Sequence, residues 1–149
     1  MAKRRRITDE DAPVVDLATS PETVCFLIVK AREFDVKEAE TEPDPGSNPT
    51  DDRDAGVLED HGDDPVAIEM ISTIRALSED EQIELVAMVW LGRGDGTVDD
   101  WEQLKTDAAA AHNNRTASYL LGIPQLGDYL EEGFALLGHS CEEYEIDRL

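Results

Sequence analysis

The run Asp95-Gly96-Thr97-Val98-Asp99-Asp100-Trp101-Glu102 carries the densest pattern of potential chemistry in the sequence. An aspartate, a turn glycine, an apolar residue two positions on and a closing glutamate fall in the register of the second half of an EF-hand calcium loop. Asp95, Asp99 and Glu102 would then be the ligands of a divalent-cation sensor. The first half of such a loop does not follow, because Leu91 and Arg93 stand where its first two carboxylates belong. The plainer reading is a glycine-bearing turn between two helices, with acids gathered at the start of the second.

The same turn offers two further motifs, both weak. Arg93-Gly94-Asp95 spells an adhesion tripeptide, a match of only three residues. Gly92, Gly94 and Gly96 alternate as in a phosphate-cradling loop, but no strand precedes them, no lysine follows, and the neighbouring aspartates repel phosphate. A local reading suits them better: glycine supplies unusual backbone angles, and Arg93 caps carbonyls at the end of the preceding helix.

Of the three histidines, His61 falls in an acidic, breaker-rich stretch and His139 follows a helix end. His112 alone sits on a helical pattern, where Trp101, Arg115 and Tyr119 could surround it. A histidine beside aromatic side chains usually serves as a structural hydrogen-bonder, and nucleophilic catalysis would need a serine or cysteine within reach. Arg93, Asp95, His112, Arg115 and Tyr119 nonetheless form the one candidate group for a small ligand or a reaction. Asp99-Asp100 and Glu131-Glu132 are adjacent pairs, which on a helix point ~100° apart and suit a solvated face.

These residues must be positioned by helices. Ser20-Pro21-Glu22 is a helix start, and Val24, Leu27, Ile28, Ala31 and Phe34 predict a first helix from Pro21 to about Val36. From Glu38 to Asp64 the period vanishes amid prolines and acids, which predicts a disordered acidic insert in which Gly56-Val57-Leu58 could dock weakly. Asp64-Pro65 opens a second helix with Ile68, Ile71, Ile74 and Leu77 on one face. Ser78 with Glu81 is a capping box for a third, which is apolar nearly all round, hence central, and is expected to end at Gly92. Thr97 caps a fourth helix, carrying Val98, Trp101, Leu104, Ala108, Ala111 and Tyr119. Its spacing allows an unbroken run to Leu121, with Asn113-Asn114 as the weak point. Gly122 closes it, and Pro124 starts a fifth helix with Leu126, Leu130, Phe134 and Leu137 inward, closed by Gly138. A short capping-box turn follows at Ser140 to Glu143. Trp90 and Trp101 should clamp helices three and four. Gly127 and Gly133 should admit another helix closely, within the bundle or from a second subunit.

Composition narrows the function classes. The 149 residues suffice for one domain, and 35 acids against 13 Lys and Arg give a net charge of −22. That field disfavours nucleic acid and anionic membranes and favours basic partners. The basic run Lys3 to Arg6 is too short to alter this, and no apolar run of membrane-spanning length appears. Cys25 and Cys141 lie in no paired motif, so Cys25 is expected to act as a small free hydrophobe and the compartment to be the cytoplasm.

The runs Thr23-Val24-Cys25-Phe26, Lys30-Ala31-Arg32-Glu33-Phe34, Glu42-Pro43-Asp44-Pro45-Gly46-Ser47-Asn48, Leu85-Val86-Ala87, Trp90-Leu91-Gly92-Arg93-Gly94-Asp95 and Tyr119-Leu120-Leu121-Gly122-Ile123-Pro124 resemble an uncharacterised bacterial family, domain of unknown function 3775, over residues 20–138. The resemblance implies a small helical bacterial protein and carries no activity, ligand or catalytic residue. The expectation is an all-α, compact helical bundle of about five helices in one domain (20–138), with a flexible arm before it (1–19) and a tail or short helix after it (139–149). No cofactor is called for. The leading function is a non-enzymatic interaction or regulatory module with a protein partner, in one form a homodimer.

Overall fold

The computed structural model describes residues 14–41 and 64–142, with backbone alone over 37–41. Helix starts follow the capping signals. The Ser20 hydroxyl accepts from the Thr23 amide at 3.1 Å and opens α1 (Pro21–Thr41), five residues longer than its apolar period required. The expected insert over 38–64, apart from this helix end and Asp64, lies outside the described residues. Asp64 accepts from the Val66 amide at 2.9 Å and opens α2 (Pro65–Ala76). Ser78 and Glu81 form the reciprocal capping box of α3 (Glu79–Arg93).

Later boundaries differ from expectation. α3 passes through Gly92 and closes at Gly94, whose φ of 96° is the left-handed conformation that glycine adopts freely. A single 3-10 turn, Val98–Asp100, precedes α4 (Trp101–Ala111). Thr97 is the N-cap of that turn as expected, and the Asp100 carboxylate accepts from the Thr97 amide at 2.8 Å. α4 does not continue to Leu121. His112 turns extended, and the Asn113 side chain accepts from the Arg115 amide at 2.7 Å. Asparagine's short amide thus offers the backbone an alternative to the helix. The chain restarts as α5 (Thr116–Leu121), capped at Gly122. α6 (Leu126–Leu136) begins two residues beyond Pro124, after Gln125 at φ 64°. Among the described residues there are six helices and no strand.

α3 is the central element: Leu85, Ala87, Met88 and Val89 are wholly buried. It packs against α6 and α4, while α1 lies against α6 and α2, and α2 against α5. On α6 the inward face is the expected one, Leu126, Leu130, Phe134 and Leu137, each at most 2% exposed. Burial on that scale stabilises by about 1.5–3 kcal/mol per side chain. On α2 the face is rotated from the expected one. Ala67, Met70, Ile71 and Ile74 are buried and Ile68 is exposed, because Val66 and Ala67 at the helix start already contact the core. Gly127 and Gly133 serve contacts within the bundle: a Cβ on Gly127 would meet Ile28 and Arg32 of α1, and one on Gly133 would meet Met88 of α3.

Two terminal segments are more tightly held than the sequence suggests. Residues 14–19 are no loose arm. Val15 donates to the Leu137 carbonyl at 3.0 Å and its own carbonyl accepts from His139 Nε2 at 2.7 Å, while the His139 ring stacks on Phe134. The Ala18 and Thr19 amides both donate to the Glu84 carboxylate at 2.8 Å, with Thr19 and Glu84 buried. The free-thiol reading of the cysteines is also overturned: Cys25 and Cys141 form a disulfide, 116 residues apart in sequence. The reversal after α6 at Gly138, φ 94°, delivers Cys141 to α1. The remainder of the tail, from residue 143, and residues 1–13 lie outside the described residues.

Candidate functional site

The α3–α4 turn does not gather its acids around a centre. Arg93 takes the Asp95 carboxylate through Nε and Nη2, at 3.1 and 2.7 Å. Asp100 is occupied with Thr97, and Asp99 faces a surface groove. Among the described residues no three His, Cys, Asp or Glu side chains come together as a metal site would require. The Asp95 carboxylate, and secondarily the Tyr119 hydroxyl, holds the Arg93 guanidinium's pKa above its ordinary value, so Arg93 is a permanent cation.

Tyr119 links this turn to a second feature. Its hydroxyl accepts from Trp90 Nε1 at 2.9 Å and helps to raise the Arg93 pKa. The expected Trp90–Trp101 clamp is thus divided. Trp90 is half-buried and tied to α5, while Trp101 is buried and its Nε1 finds no partner among the described residues. Tyr119 also lines a cleft of about 210 Å³ with Val86, Ala108, Ala111, His112, Asn113, Arg115 and Thr116.

His112 is anchored at one wall of that cleft. The Gln82 side-chain amide donates to the Ile74 carbonyl at 2.9 Å, which turns its oxygen toward His112 Nε2 at 3.0 Å. Nε2 is therefore the donor in that bond, and Nδ1 stands 3.5 Å from Glu79. This ring closes α4 onto the α2–α3 corner, a positioning task. Of the five residues in the candidate group, Arg93 and Asp95 are paired by hydrogen bonds, and Tyr119, His112 and Arg115 line one cleft.

A second concavity, about 420 Å³ and shallow, runs between the α3–α4 turn and α6. Leu91, Gly92, Gly94 and Gly96 form its base and side, and the exposed Val98 and Leu136 border it. Among the described residues, its charged lining residues are Asp99 and Glu132. Sequence periodicity could not have found it. Val98 reads as a core position of α4, and Leu136 lies one residue from the buried Leu137.

Among the described residues no helix is long and apolar enough to cross a membrane. No curated protein and no solved structure matches the chain. The runs Trp90–Asp95 and Tyr119–Pro124 lie within the family match, whereas those of α1 and of residues 42–48 lie outside it. Residues 67–139, from the first turn of α2 through the end of α6, match a family described as protein of unknown function (DUF3775).

Proposed function

We propose that this domain is a non-enzymatic interaction module that docks a protein segment presenting an apolar side chain beside Lys or Arg. The supporting observation is the groove between the α3–α4 turn and α6. Val98 and Leu136 are 37% and 43% exposed at its border, and both lining charges are carboxylates. An apolar anchor supplies affinity there, while the acidic rim and the net charge of −22 select and steer a basic partner.

Fluorescence anisotropy with labelled peptides tests the reading: leucine flanked by lysine and arginine, leucine flanked by glutamate, and a basic peptide without leucine. The expected result is saturable, salt-sensitive binding of the first alone, lost in Leu136→Asp, an exposed position that leaves the core untouched. Equal binding of all three, or full binding by Leu136→Asp, overturns it. Light scattering that shows a dimer broken by Leu136→Asp would make a second copy the occupant instead. The reading places the protein in the cytoplasm. The Cys25–Cys141 bond, which oxidising compartments favour, is the observation against that placement, and thiol alkylation in intact cells decides it.

A further inference from the structure

The cleft between α3, α4 and α5 differs in kind from the groove. Among the described residues, none that lines it is a carboxylate. Its walls are apolar at Val86, Ala108 and Ala111, and its polar side chains are His112, Asn113, Arg115, Thr116 and Tyr119, of which Thr116 donates to the Asn113 carbonyl. The Tyr119 oxygen accepts from Trp90 Nε1 at 2.9 Å. That bond occupies a lone pair and leaves the phenolic hydrogen for a second partner. The volume of about 210 Å³ corresponds to roughly seven water-sized groups, below the ~300 Å³ at which drug-sized pockets begin.

From these features we propose that the cleft binds a small organic carboxylate: a compact apolar body seated against Val86, Ala108 and Ala111, its anionic group met by Arg115 and the Tyr119 hydroxyl. His112 lines the same cleft but is held by Gln82, so it shapes the wall rather than acting on the ligand. Because the cleft and the groove share no lining residue, this proposal stands apart from the docking reading and can fail without it.

Benzoate is the probe, with benzamide as its neutral counterpart of the same shape and inorganic phosphate as an anion without an apolar body. Binding is read by NMR chemical-shift titration and by the fluorescence of Trp90, which reports through its bond to Tyr119. Benzoate should saturate and should bind at least about tenfold more tightly than benzamide, the ratio a hydrogen bond to a charged group supplies. Arg115→Gln should remove that preference while leaving weak binding of both. Ala111→Phe, at an exposed helical position, should abolish binding of both, with the circular dichroism unchanged. Absence of saturable benzoate binding, equal affinity for benzamide, or an undiminished preference in Arg115→Gln overturns the proposal. So does phosphate binding as tightly as benzoate, which would mean that the apolar walls contribute nothing.

Discussion

The position a Cβ would take on Gly133 lies 2.2 Å from the carbonyl oxygen of Met88. The contact is reciprocated one turn along, where a Cβ on Gly92 would fall 2.0 Å from the Tyr129 carbonyl. α3 and α6 therefore meet backbone to backbone, at a separation no side chain permits.

Gly133→Ala and Gly92→Ala should each destabilise the fold by about 3 kcal/mol, the upper end of overpacking costs, because the obstructing atoms are backbone. Gly127→Ala should be milder. Its nearest contacts are wider, 2.9 Å to Arg32 Cγ and 3.1 Å to the Ile28 carbonyl oxygen, and alanine returns about 1 kcal/mol of helix propensity. Urea denaturation of the three variants gives the ranking. A Gly133→Ala protein as stable as wild type would mean that the helices separate without loss.

Glu84 clasps the entering chain through two backbone amides. Glu84→Ala leaves the buried Thr19 amide without its acceptor, so a loss of about 3 kcal/mol is expected, with roughly half that for Glu84→Gln, which retains one acceptor. Limited proteolysis should cut residues 14–20 sooner in both variants. Wild-type stability in Glu84→Ala would show the clasp to be dispensable.

The disulfide closes a loop of 116 residues. Constraint of the unfolded chain by a loop of that length is worth about 4–5 kcal/mol on the chain-entropy account. The Cys25→Ala/Cys141→Ala protein should unfold correspondingly earlier in urea, and a reducing agent should shift wild type but not the double variant. An identical midpoint with and without reductant would contradict this.

Lys30 of α1 reaches Glu69 of α2 at 2.9 Å. That hydrogen bond, aided by Glu33, raises its pKa above the ordinary 10.5. A raised folded-state pKa contributes stability that is fully present below pH 10.5 and lost as pH climbs through the raised value. Glu69→Gln should therefore flatten the alkaline fall in thermal stability. An unchanged alkaline limb would remove the pair from the account.

Local sequence determined most of the helices, because capping chemistry acts over three or four residues. Ser20, Asp64 and the Ser78/Glu81 box open α1, α2 and α3 as read, and the 3.6-residue period places Leu126, Leu130, Phe134 and Leu137 inward. Periodicity misjudged Ile68 and Val98, since a stripe of apolar residues does not say how far the neighbouring helix extends. It also could not weigh the Asn113 turn against helix continuation. The tertiary structure alone decided the pairings distant in sequence: Cys25 with Cys141, Glu84 with Thr19, Val15 with His139, Gly133 with Met88. The same holds for the two concavities. The acidic groove exists because α6 is close enough for Leu136 to stand beside Val98. The second cleft exists because the break at His112 turns α5 back, bringing Arg115 and Tyr119 beside Val86 of α3 and the apolar end of α4.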